Sequence, residues 1–289
     1  MLHRKLGEIS IDRIVETDSA DFNAREFFPR TTAEEWEPHL SWLSRKGLHA
    51  ESGNLNFVMQ SFLVRTRRHT IVVDTCVGDH KPRARPFWNM TSSGAYLRRL
   101  TEAGVRPEQV DYVMCTHLHT DHVGWNTRLE NGRWVPTFPN ARYVMSGKEL
   151  AYWQELHKTA PQNQIADSVQ PIVDAGKALL VKNDHALDDE VWLESSPGHT
   201  PDHVSVRLAS RGAQAVITGD LIHSPVQCAE YDWVARPDSH PDLARKTRKA
   251  FLERCSETNM LVCATHFPSP SFGHVVADGK AFRFVYEGE

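Results

Sequence analysis

The sequence predicts an α/β protein arranged as a four-layer αββα sandwich. Strand-like runs fall into two blocks, one ending near Met145 and the other beginning near Ala178, and helical stretches flank both. Four short motifs rich in histidine and aspartate each come after an apolar or β-branched run, which puts their polar side chains where strands end.

In chain order, residues 7–16 carry Ile9, Ile11, Ile14 and Val15 and read as an opening strand. Thr31-Thr32-Ala33-Glu34 offers a cap for a helix over 36–43. The stretch 1–50 is expected to form an N-terminal arm that packs on the surface, shapes a pocket or meets a second subunit. Runs of β-branched and aromatic residues at 55–65 and 70–76 flank Arg67-Arg68-His69, the pattern of a hairpin. The long loop 78–94 holds Phe87 and Trp88, candidates for a pocket wall or a partner-facing patch; loops of this length are usually functional or mobile.

A helix over 93–103, with Tyr96, Leu97 and Leu100 on one side, leads through Gly104 into a strand at 110–114. A hairpin-like turn at Asn131-Gly132 comes next, then a strand at 142–145 and helices over 148–157 and 164–175. The second block offers strands at 178–181, 191–195, 203–208 and 213–218, a helix over 242–255, and a closing strand pair at 261–264 and 282–286.

Hydrophobic content of 40% and charged content of 24% are those of an ordinary folded globule. A net charge of −4 without any long basic tract argues against nucleic acid as a partner. The one basic cluster, Lys81, Arg83 and Arg85, lies in the long loop and reads as solvated. The residues after Met1-Leu2-His3-Arg4-Lys5 are acidic and polar rather than apolar, so neither a signal peptide nor a membrane span is expected. Five cysteines without paired spacing fit free thiols and a cytoplasmic location. Eight tryptophans and twelve phenylalanines suit an apolar pocket and a homodimer interface, although core packing draws on the same residues.

The chemistry concentrates in Cys115-Thr116-His117-Leu118-His119-Thr120-Asp121-His122, directly after the apolar run 110–114. Three imidazoles and a carboxylate so close together point to a metal, because imidazole nitrogen and carboxylate oxygen are the usual ligands of zinc and its neighbours. His117 and His119, two apart, point the same way on a continuing strand, while Asp121 and His122 lie past the bend, placed for a second ion. One loop cannot close two coordination spheres. The missing ligands are offered downstream by Ser196-Pro197-Gly198-His199-Thr200-Pro201, by Ile217-Thr218-Gly219-Asp220 and by Cys263-Ala264-Thr265-His266.

Together these motifs resemble the metallo-β-lactamase superfamily, whose signature is His-x-His-x-Asp-His followed by a distant histidine, a bridging aspartate and a last histidine. The resemblance spans roughly residues 55–285 and implies the metallo-β-lactamase fold in one domain, 1–289. It implies His117, His119 and His199 as ligands of one metal ion, Asp121, His122 and His266 as ligands of a second, and Asp220 as the bridge. Two divalent ions per chain are implied, zinc foremost, although iron, manganese and cobalt accept the same set. Asp74 looks like the superfamily aspartate that lies beneath the metal loop and steadies it by hydrogen bonds.

Asp220 stands where many zinc β-lactamases of the superfamily carry cysteine, and His119 stands where the oxygen-reducing diiron branch carries glutamate. The set is therefore similar to that of the dinuclear hydrolases. Such enzymes imply a hydroxide bridging two cations ~3.5–4 Å apart, used to cleave small esters, lactones and aryl esters first. The tail residues Thr265-His266-Phe267-Pro268 and Phe272-Gly273-His274 are similar to the branch that includes methyl parathion hydrolase, so a phosphotriesterase is the alternative. An oxygenase working on a single iron is the reading from another class.

Asp121 is implied as a proton donor to the leaving group. His223 stands where N-acyl homoserine lactonases of the superfamily carry a tyrosine that reaches the substrate. A histidine there can donate a hydrogen bond or a proton, or can pack behind the site. Asp202 replaces a common glycine after the His199 motif and is expected to keep the turn because aspartate tolerates left-handed backbone angles. His203 and His274 are the other histidines whose surroundings need to be known.

Overall fold

The computed structural model describes residues 3–49 and 51–288; Met1, Leu2, Ala50 and Glu289 lie outside the described residues. The first half runs β1 (His3–Leu6), β2 (Ile9–Asn23), α1 (Ala24–Phe27), α2 (Ala33–Leu43), β3 (Asn54–Arg65), β4 (Thr70–Val73), α3 (Ala95–Glu102), β5 (Tyr112–Met114), α4 (Thr120–Val123), β6 (Thr127–Glu130), β7 (Arg133–Pro136), β8 (Arg142–Ser146), α5 (Gly147–Thr159), α6 (Gln170–Asp174) and β9 (Ala178–Val181). The second runs β10 (Val191–Ser195), β11 (Val204–Ser210), β12 (Ala213–Ile217), α7 (Val226–Ala229), α8 (Pro241–Ser256), β13 (Leu261–Cys263), β14 (Phe272–Asp278) and β15 (Ala281–Tyr286).

Period-two alternation sorts these strands into layers. In β4, Ile71 and Val73 point to one side and Val72 to the other; in β12, Ala215 and Ile217 part from Val216 in the same way. The first set of each joins Phe62, Val64, Met114, Val204, Leu208 and Cys263 in a core between a seven-stranded sheet, β1-β2-β3-β4-β5-β8-β9, and a six-stranded sheet, β10 to β15. Outside the first sheet, Tyr96 and Leu100 of α3 and Leu150 and Trp153 of α5 cover Val72, Val113 and Tyr143. Outside the second, Phe251, Leu252 and Cys255 of α8 cover Val216, Val262 and Phe284. The result is the expected αββα order.

Local chemistry fixes the ends. Thr32 and Glu35 make a capping box at the start of α2. The Asn131-Gly132 turn between β6 and β7 takes positive φ at both residues, 50° and 75°, as a tight hairpin with right-handed strands requires.

Four sequence expectations change. The opening strand extends through Asn23, because β2 pairs with β3 along its length through two irregularities in register, and β1 adds to its other edge. The helix over 164–175 divides into a π-helical turn, Ile165–Val169, and α6, because Pro171 has no N–H to offer; the Asp167 carbonyl accepts instead from Lys81 Nζ and Thr127 Oγ1. Lys81 and Arg83 are buried rather than solvated, with Arg83 Nη1 2.6 Å from Asp167 Oδ2. The closing strands do not pair with each other: β14 lies between β13 and β15 and bonds to both.

Parallel pairing puts strand ends together. β4 and β5 are parallel in the first sheet, as are β12 and β13 in the second. Asp74, the loop beginning at Cys115, the turn to Asp220 and the turn to His266 all leave from carboxyl ends of these strands, the customary ligand side of an open α/β sheet. Val204 N–H donates to Thr116 O at 3.0 Å, tying the two sheets together at that edge.

Candidate metal centre

The seven expected ligands converge. His117, His119, His199 and Asp220 form one group whose ligand atoms lie within 4.8 Å of one another, and Asp121, His122 and His266 form another. Asp220 faces both groups. Its Oδ2 is 3.1 Å from His199 Nε2 and 3.7 Å from His117 Nε2, while its Oδ1 is 3.0 Å from His122 Nε2 and 2.9 Å from His266 Nε2. Asp121 Oδ2 stands 3.7 Å from His266 Nε2 and 3.8 Å from His122 Nε2.

Partners behind the rings decide which nitrogen is free. His266 Nδ1 is 3.0 Å from the Val58 carbonyl, which can only accept, so the proton sits on Nδ1. His122 Nδ1 meets Asp74 Oδ2 at 2.8 Å, and His199 Nδ1 meets Asp238 Oδ1 at 2.9 Å. Thr116 donates its hydroxyl to Asp74 Oδ2, which leaves its oxygen to accept from His117 Nδ1 at 3.0 Å. Four Nε2 lone pairs therefore point inward. His119 presents Nδ1 to the same space, 3.0 Å from His117 Nε2 and 2.8 Å from His199 Nε2. Lone pairs so arranged repel each other unless a cation lies between them, and the set of imidazole nitrogens and carboxylate oxygens fits first-row divalent ions.

Electrostatics divide the rings. Burial opposes a proton on His122 and His199, but Asp220 with Asp74 raises His122 well above the ordinary histidine range and Asp220 with Asp238 raises His199 to about 9, so a cation entering the cluster takes the place of protons there. Burial and the neighbouring imidazoles hold His117 and His119 well below the ordinary histidine range, which keeps them neutral. Burial opposes ionisation of Asp220, yet His122, His266 and His199 hold its carboxyl well below the usual range.

Several groups secure the ligands. Asp74 accepts from Thr116 N–H at 2.8 Å as well as from its hydroxyl, so it stands beneath the metal loop as the resemblance implied. Asp220 N–H donates to His203 Nε2 at 2.9 Å, and burial pushes His203 down to about 3, so it remains an acceptor. Gly219, at φ 54°, precedes Asp220 where an added Cβ would come within 2.6 Å of His203 Nε2. Asp202 does not use a left-handed backbone; its carboxylate instead joins Ser146 to Asn183. His274 lies elsewhere, with Nδ1 3.0 Å from the Met260 carbonyl.

Sequence reasoning did not find Asp238 or Arg248. Burial opposes ionisation of Asp238, but the hydrogen bond and charge of His199 hold it at about 2. Arg248, wholly buried on α8, lies 3.4 Å from Asp238 Oδ2 and donates to the carbonyls of Leu221, Tyr231 and Trp233 at 3.1, 2.9 and 2.8 Å. It thereby braces the segment from Asp220 to Asp238.

A cavity of about 170 Å³ opens above the cluster, with Phe22, Phe27, Phe57 and Trp88 as its apolar wall and Asp121, Asp220, His223 and His266 on its polar side. Trp88 thus takes the expected place, whereas Phe87 packs behind it at 5.5 Å between ring centroids. His223 is buried with Nε2 3.2 Å from Asp220 Oδ2 but out of line for a hydrogen bond, and its Nδ1 has no partner among the described residues. Burial lowers its pKa, so the ring is neutral. A wider groove of about 880 Å³ between α2 and β15 holds none of the His/Asp groups found among the described residues.

The family pattern of the metallo-beta-lactamase superfamily matches residues 58–271. The chain belongs to that superfamily. Among its relatives is N-acyl homoserine lactonase AiiA of Bacillus thuringiensis subsp. kurstaki, 23% identical over 251 residues, which cover 81% of this chain and 87% of that protein. Among solved structures the superfamily fold recurs in AidC, a dizinc quorum-quenching lactonase in complex with a product, at TM-score 0.82 and 22% identity, covering 100% of this chain and 97% of that one. It recurs in the hydrolase AbOPH at TM-score 0.82 and 23% identity, covering 98% and 96%. No helix among the described residues is long and apolar enough to cross a membrane.

Proposed function

We propose that this member of the superfamily is a dinuclear metal-dependent hydrolase of small esters, with lactones foremost. The observation that carries the reading is the placement of Asp220, whose two oxygens each face a separate pair of imidazole nitrogens. In this reading His117, His119 and His199 hold one ion, Asp121, His122 and His266 hold the other, Asp220 serves both, and zinc is the metal. When bound, the pair of ions would make hydroxide available at neutral pH and would polarise the ester carbonyl.

The chain's own residues do the rest. Phe22, Phe27, Phe57 and Trp88 exclude water and seat the apolar part of the ester. Asp74, Asp238 and the Val58 carbonyl keep three rings in the tautomer that offers Nε2. His223, neutral and lining the cavity, holds a proton on Nε2 for the departing alkoxide, and Asp121 is the second donor within reach. Lactones come first because the cavity is small and relatives by sequence and by fold include lactonases. The same aromatic wall suits an aryl phosphotriester, and paired rate measurements separate the two. An oxygenase on a single iron leaves the second His/Asp group without a task.

Metal-loaded protein should hydrolyse a γ-lactone and an aryl ester, with H117A and D220A at least about a hundredfold slower; equal activity in both variants overturns the reading. H223Q should slow an alkyl ester about a hundredfold while sparing a nitrophenyl ester, whose leaving group needs no proton. Equal losses on both would make His223 a packing residue.

A further inference from the structure

We infer that the cavity carries a second subsite, formed by the guanidinium groups of Arg85 and Arg236, and that the preferred substrate is a short lactone or ester bearing a carboxylate. This rests on the hydrolase reading above.

Arg85 lines the cavity of about 170 Å³ together with Asp121 and His223, and it also lines an adjoining recess of about 70 Å³ that Arg236 shares. Its Cζ lies 4.5 Å from the ring centroid of Phe22 and 5.7 Å from that of Trp88. Aromatic rings hold a guanidinium through its face and leave the in-plane N–H groups to point elsewhere. Arg236 is fixed from behind: its backbone N–H donates to the Phe27 carbonyl at 2.8 Å, and its Nε donates to the Glu26 carbonyl at 2.8 Å. Its two terminal nitrogens make no hydrogen bond to the described residues.

Asp21 and Glu26 stand on the exposed rim of this recess, yet neither forms an ion pair with Arg85 or Arg236. Both guanidiniums reach solvent and neither makes a direct ion pair, although Asp121 and Glu26 lie near enough to offset part of the charge of Arg85. Two cations thus converge beside a pocket walled by aromatic rings. An uncharged carbonyl would leave their mutual repulsion intact. A planar carboxylate would neutralise it and match the paired N–H geometry of either guanidinium. The small cavity allows only a few atoms between that carboxylate and the scissile bond.

The test compares a γ-butyrolactone carrying a ring carboxylate with its isosteric carboxamide, together with glutarate binding to the metal-free protein by calorimetry. Wild type should favour the carboxylate by about tenfold or more in kcat/KM, chiefly through KM, and R85Q should collapse the ratio toward one, with R236Q intermediate. Glutarate binding should weaken about tenfold in R85Q. A carboxamide turned over as fast as the carboxylate, or an R85Q variant that slows both equally, overturns the subsite and leaves the hydrolase standing. If neither lactone is cleaved while glutarate binding still depends on Arg85, the hydrolase reading fails and the subsite stands.

Discussion

Two buried charge clusters in this molecule obey different rules. Around Asp167, Arg83 Nη1 and Nη2 donate at 2.6 and 3.0 Å, and Lys81 Nζ lies 3.6 Å away. Lys81 also donates to Thr127 Oγ1 at 2.7 Å and sits 3.7 Å from the ring centroid of Trp134. Both basic side chains there meet the same carboxylate within the protein. Around Asp220, inward-facing nitrogens confront one another with their protons turned outward. Burial alone therefore does not mark a functional site; the mark is a buried set of acceptors that the chain does not complete.

The comparison is broken most forcefully at Asp167. D167A strands the buried Arg83 cation and removes the carboxylate beside Lys81, and should cost about 3–5 kcal/mol in a urea titration, with metal content unchanged. Loss of metal in D167A, or a negligible cost, would erase the distinction between the clusters. D238A should act in the opposite sense. It removes the acceptor behind His199 and should weaken metal retention about 10–100-fold in a competition with chelator, while excess metal restores turnover.

The smallest effect sharpens the scaffold side. Burial pushes Lys81 down to about 7, so between that pH and the ordinary lysine value the unfolded chain binds the proton more tightly than the folded one. Stability then rises with pH through this window, by about 1 kcal/mol from pH 7 to 8, and K81M should lack that rise. Parallel pH profiles for wild type and K81M would remove Lys81 from the account.

How much the sequence disclosed depended on how its chemistry is distributed. The ligands were legible because residues 117–122 compress four of them after one apolar run, and because His199, Asp220 and His266 each come after a strand. Asp238 was not, since it lies in a loop without periodicity, 39 positions from the ring it orients. Lys81 and Arg83 looked solvated because their counter-charge, Asp167, is more than 80 positions away. The aromatic wall was half visible. Trp88 stood out in its loop, whereas Phe22 and Phe27 reach the cavity only because β2 runs on to Asn23 before turning into α1. β14 was missed because Gly273 and His274 interrupt its apolar residues, and its pairing with β13 and β15 made it a strand nonetheless.

Metal content per chain tests the central claim most directly. After loading with zinc and removal of unbound ion, elemental analysis should find two equivalents in wild type. D220A, which loses the one carboxylate among the described residues that faces both groups, should retain fewer than one tightly held equivalent. A single equivalent in wild type, or two retained in D220A, would contradict the proposed arrangement.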